Sequence, residues 1–130
     1  MGASKFWAVL AGCALLLTAC GGQKSGGDEC TPKGGSQATP AVTVKLLPDP
    51  NTVGKFEPKE IPVKVGQTVG WDWQDSSAQH TVTADDGSFD SCLLGQGSKF
   101  AVTFTKAGKV GYKCTIHAAM IATVMRESSV

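Results

Sequence analysis

The chain has 130 residues, enough for one domain and a leading segment. A hydrophobic content of 42% with 18% charged residues supports a packed core and excludes global disorder. Twelve basic residues against eleven acidic ones leave no electrostatic footprint for nucleic acid, so that class of partner is set aside.

Residues 1–20 read as an export signal. Lys5 supplies a thin positive start, and Phe6 to Leu17 is an apolar stretch too short to span a bilayer comfortably. It ends in Leu17-Thr18-Ala19-Cys20, which resembles a bacterial lipobox. The resemblance implies that the leader is removed and that Cys20 becomes a lipidated N-terminus. An ordinary signal peptide with an incidental cysteine is the plainer alternative. Residues 21–40 are rich in Gly, Ser, Gln and Thr, and read as a flexible tether that buries too little apolar surface to order itself. Twenty such residues reach about 25 Å on average. Removal of Lys5 with the leader leaves eleven basic against eleven acidic residues, a formally neutral remainder.

From Ala41 onward the pattern changes to short β-like runs separated by turn signals, giving one domain over residues 41–130. Ala41 to Leu47 is apolar and β-branched, and Pro48-Asp49-Pro50-Asn51 stops it. Phe56 to Pro62 is broken by Pro58 and Pro62, which predicts an edge or irregular stretch. Val63 to Val65 and Thr68 to Trp73 alternate on either side of Gly66-Gln67 and read as a hairpin. Trp71 and Trp73 lie on one face of their strand, facing the core. Gln74 to Gln79 is a polar loop, and alternation resumes at His80-Thr81-Val82-Thr83. Lys99 to Thr105, Val110 to Cys114 and Ile121 to Arg126 complete the set. Seven or eight strands with no amphipathic helix predict an all-β, Greek-key β-sandwich.

Between the last two strands, Cys114, His117 and Met120 recur at every third position. Singly, each has a bland reading: a buried thiol or half-disulfide, a surface imidazole, core filler. Together with His80, the only other histidine, they make the donor set of a trigonal His₂Cys centre with a weak axial thioether, which suits copper cycling between Cu(I) and Cu(II). Tyr112 to Met120, with the apolar run Ile121 to Met125, resembles the ligand loop of the cupredoxins, and the short spacing is closest to the amicyanin type. His80 to Ser91 resembles the plastocyanin-type segment that begins at the first copper histidine. The resemblance covers roughly residues 41–130 and departs from the family in four places. Gln79 replaces a Pro, the Trp71–His80 segment looks one residue long, Cys92 replaces a Gly, and Ile121-Ala122 replaces a Gly.

The resemblance implies one type 1 copper ion held by His80, Cys114, His117 and Met120. It also gives Thr81 and Thr115 the part of tying the two ligand-bearing segments together through hydrogen bonds that fix ligand orientation. It implies a monomeric, non-enzymatic electron carrier, exported and lipid-anchored at the outer face of the cytoplasmic membrane or in the periplasm. Its partners are then transient redox proteins. A copper-binding or copper-delivery protein of the envelope is the alternative; a structural zinc domain is disfavoured because a thioether is a poor zinc ligand. Once Cys13, Cys20 and Cys114 are assigned to the leader, the lipid and copper, Cys30 and Cys92 remain in an exported chain and predict a disulfide pinning residues 30–40 along the sandwich. Two free thiols are the alternative.

Overall fold

Strict alternation of inward and outward side chains requires a partner layer for the apolar face of every strand, and the chain supplies two. The computed structural model describes residues 29–128. Eight strands, with no helix among the described residues, run in order: β1 (Val42–Leu47), β2 (Lys55–Glu57), β3 (Glu60–Lys64), β4 (Thr68–Trp73), β5 (Thr83–Ala84), β6 (Lys99–Thr103), β7 (Gly108–Lys113) and β8 (Ile121–Glu127). One sheet has the order β2-β1-β4-β6 and the other β3-β8-β7-β5. Pairs β1–β4 and β3–β8 are parallel and the remaining pairs antiparallel, so both sheets are mixed. The predicted all-β sandwich is thus the observed fold.

The core lies between the sheets. Val44 and Leu46 of β1 and Val69, Trp71 and Trp73 of β4 meet Ile61 and Val63 of β3, Val110 and Tyr112 of β7 and Val124 of β8. Each such residue, once buried, contributes about 1.5–3 kcal/mol relative to exposure. Trp71 packs against two other core rings, with centroids 5.4 Å from Tyr112 and 5.6 Å from Phe89. Trp71 and Trp73 are both core residues, as their shared face predicts.

Two elements differ from the sequence expectation. β3 and β4 do not form a hairpin: they belong to different sheets, and the turn at Gly66 carries the chain across the sandwich. Both runs alternate toward the same core, which periodicity cannot distinguish from pairing with each other. Their backbone groups bond elsewhere, Val65 N–H to Glu127 O and Gly66 N–H to Phe104 O. The His80–Thr83 run is shorter than its alternation suggests, with a single bridge at His80 and a two-residue β5.

The segment before β1 lies along the sandwich. Cys30 and Cys92 form a disulfide, Lys33 pairs with Asp90, and Ser36 N–H donates to Ala101 O. Gly70 of β4 lets this segment approach: a Cβ there would sit 2.7 Å from Pro40 Cγ. The disulfide also occupies the two cysteines of a Cys30–Asp90–Cys92 cluster that would otherwise resemble a ligand group. The expected leader, residues 1–20, the lipid site Cys20 and the first part of the expected tether, residues 21–28, lie outside the described residues.

Candidate metal centre

The register of the β5–β7 pair assembles the centre. Thr83 lies opposite Lys113; continuing that antiparallel register by two residues sets Thr81 opposite Thr115, so the residues that follow His80 and Cys114 meet. The β7–β8 connection is closed by Cys114 N–H to Met120 O at 3.0 Å and Met120 N–H to His117 O at 2.9 Å. The C-x₂-H-x₂-M spacing therefore turns three donors to one side of a tight loop. His80 is fixed from the other side by paired bonds to Leu94 and by the Trp73 indole N–H, which donates to His80 O at 2.9 Å.

The ligand atoms converge. His80 Nδ1 and His117 Nδ1 are 3.1 Å apart, and Cys114 Sγ lies 3.4 Å from His117 Nδ1 and 3.9 Å from His80 Nδ1. A metal about 2.0 Å from each nitrogen and about 2.3 Å from the sulfur would hold such atoms about 3–4 Å apart, so the donors fit one ion. Met120 is buried next to them: a Cβ added to Gly54 would collide with His80 Cε1 and come within 3.0 Å of Met120 Sδ. Two imidazoles, one thiolate and one thioether form a soft set that suits copper better than zinc. The structure brings together His80, Cys114, His117 and Met120, the four side chains that the sequence predicts would hold copper.

Thr81 and Thr115 meet as well. Thr115 N–H donates to Thr81 Oγ1 at 2.9 Å, and the two hydroxyls are 3.3 Å apart. Thr83 Oγ1 donates to Thr81 Oγ1 at 2.9 Å, and Thr81 N–H donates to Cys114 Sγ at 3.4 Å. A sulfur that accepts an N–H bond has its electron density and orientation set by its neighbour.

Two residues escaped the sequence reading. Asp75, in the polar loop before His80, is buried and places Oδ2 2.6 Å from His80 Nε2. Burial alone would push its carboxyl up; the Ser77 hydroxyl, the His80 ring and the Ser77 amide outweigh it and hold the pKa at about 2. Gly54 is the second, because its missing side chain is the space His80 occupies. The available signal for Asp75 was an acid in an Asp-Ser-Ser run five residues before a ligand; for Gly54 there was none, since its contact is long-range. His117 is half-buried at the surface, and burial, followed by the nearby His80, lowers its pKa, with Asp75 opposing. A depressed pKa keeps this imidazole available as a neutral donor.

Comparison with known proteins agrees with this geometry. The sequence profile of the copper-binding proteins of the plastocyanin/azurin family matches residues 42–127. Halocyanin of Natronomonas pharaonis is 37% identical over 68 residues, which is 49% of this chain and 42% of halocyanin, so the match spans less than half of that relative's length. Among solved structures, an oxidised amicyanin variant is 25% identical, with a TM-score of 0.57 over 77% of this chain and 95% of amicyanin. A purple cupredoxin from Nitrosopumilus maritimus shares the fold, at 23% identity and a TM-score of 0.58, over 66% of this chain and 99% of its own. A copper-containing nitrite reductase of Thermus scotoductus is 26% identical with a TM-score of 0.57; the match covers 73% of this chain but 24% of that enzyme.

Proposed function

This chain belongs to the plastocyanin/azurin family of copper-binding proteins, and from that premise we propose that it is a single-electron carrier. The observation that carries the reading is the donor set itself, held between two sheets with the His117 imidazole reaching the surface. When bound, copper supplies one-electron cycling between Cu(I) and Cu(II). The protein's part is to keep the donors still. Thr81, Thr115, Trp73 and Leu94 each fix a ligand-bearing segment through hydrogen bonds, so little rearrangement opposes transfer.

The surface around the centre supports transient docking. Val53, Leu93, Ile116 and Ile121 are the exposed large hydrophobics among the described residues, each between 45% and 54% exposed. Each adjoins a residue of the centre: Val53 precedes Gly54, Leu93 precedes the Leu94 that pairs with His80, Ile116 precedes His117, and Ile121 follows Met120. With Ala118 and Ala119, they give an apolar rim without charge pairing, which suits a small interface that must separate quickly. Electrons then enter and leave through the His117 ring edge.

The carrier works outside the cytoplasmic membrane, at the outer face of that membrane or in the periplasm, as a monomer anchored through Cys20 and exchanging with membrane redox proteins. Leu17-Thr18-Ala19-Cys20 supports the anchor, and a Cys30–Cys92 disulfide suits an oxidising compartment. Filling of the metal positions by protein donors favours a carrier over an enzyme. Reversible one-electron voltammetry of the copper-loaded protein tests the carrier role: a stable reversible wave with copper retained against a chelator supports it. Ready surrender of Cu(I) would favour copper delivery instead. Fatty-acid labelling lost in Cys20→Ser tests the anchor.

A further inference from the structure

We propose that Asp75 is a positioning residue of the metal centre: its buried carboxylate selects the nitrogen that His80 offers and biases bound copper toward Cu(II). The proposal rests on the copper reading of the centre. Asp75 and His80 are 1% and 0% exposed, and Asp75 Oδ2 lies 2.6 Å from His80 Nε2. A carboxylate accepts only, so Nε2 carries the proton and Nδ1 presents its lone pair toward His117 and Cys114. Gly54 leaves room for the ring on that side, since a Cβ there would collide with Cε1. Asp75 is held in its turn: Oδ1 accepts Ser77 N–H at 2.7 Å and Ser77 Oγ–H at 2.5 Å.

Charge follows from the same geometry. Among the described residues, the ion pairs of Lys side chains fall on Glu57, Asp72 and Asp85, and the partner of Asp75 is His80. With Asp75 ionised, Cu(II), one thiolate and one carboxylate sum to zero. One added electron leaves an uncompensated negative charge in a dry site, where burying charge is costly. Reduction is therefore opposed by a charge one imidazole away from the metal.

The test separates charge from orientation. Asp75→Asn keeps the shape and an acceptor oxygen but removes the charge. Loss of an outer partner of a metal-bound histidine weakens the metal site by about 10–100-fold. If that loss falls on Cu(II) rather than Cu(I), the reduction potential rises by about 59–118 mV. The thiolate-to-copper absorption should persist. Asp75→Ala should raise the potential similarly and, in the metal-free protein followed by ¹⁵N NMR, give a mixture of His80 tautomers where the wild type should give the Nε2–H form alone. A potential unchanged in Asp75→Asn would overturn the charge role, and an unchanged tautomer in Asp75→Ala would overturn the positioning role. Should those variants fail to fold, Ser77→Ala removes a hydroxyl donor that competes for the carboxylate and should lower the potential; a rise or no change overturns the proposal. Wild-type protein that takes up no copper would overturn the copper reading itself, and the metal-free tautomer would still decide what Asp75 does to His80.

Discussion

Met120 is buried beside His80, whereas Met125 sits five residues further along β8 opposite Lys109 and Pro62. Met120→Leu should therefore keep the visible absorption and raise the reduction potential, because the thioether that favours Cu(II) is gone. Met125→Leu should leave the potential alone; the reverse pattern in voltammetry would remove Met120 from the axial position. Asp75 makes a separate prediction for the metal-free protein. Its folded pKa is about 2 against an ordinary value of 3.8. The carboxylate thus contributes stability that is fully present above about pH 4 and is lost as pH falls toward 2, roughly 2 kcal/mol in all. Urea unfolding across that range should show this loss in wild type and a flatter profile in Asp75→Asn. At this scale, residue type and spacing made four positions legible, His80, Cys114, His117 and Met120, and the family resemblance added Thr81 and Thr115. The spacing of three is a property of one loop, and the threonines lie one residue beyond a ligand on each of the two segments. Asp75 carried only a weak local signal, an acid in a polar run five residues before His80, and Gly54 carried none, because its contact with His80 is made by a loop from elsewhere in the fold.

At the level of elements, alternation revealed which runs are strands but not which sheet each joins. β3 and β4 share a core-facing period, yet β3 pairs with β8 and β4 with β1 and β6. Long-range parallel pairing of this kind leaves no trace in a ten-residue window. The segment before β1 illustrates the opposite case: its composition gives no hint of order, while its single cysteine does. The Cys30–Cys92 bond closes a loop with a sequence separation of 62, worth roughly 4 kcal/mol in the chain-entropy model. Cys30→Ser should lower unfolding stability by up to that amount, with the metal centre's absorption retained. Cys92 also has φ 62, the left-handed region that glycine tolerates. Once the bond is gone, Cys30→Ser/Cys92→Gly should be more stable than Cys30→Ser/Cys92→Ser by about 1 kcal/mol. Equal midpoints in denaturant would show that the backbone at Cys92 is relaxed.

For the whole molecule, the sandwich brings His80, Cys114 and His117 together beside buried Met120, and His117 is the one of these four that is partly exposed. Ala118→Lys should slow electron exchange with a redox partner by introducing a charge into the apolar rim, with the visible spectrum unaltered. Unchanged exchange rates would move the route away from His117. The central claim, that these side chains form one thiolate-ligated copper centre, is tested most directly by the visible spectrum of the oxidised, copper-loaded protein beside that of Cys114→Ser. The structure predicts an intense thiolate-to-copper charge-transfer band in the wild type, absent from the variant because a hydroxyl cannot replace the thiolate. A copper-loaded wild type without that band, or a Cys114→Ser protein that retains it, would contradict the account.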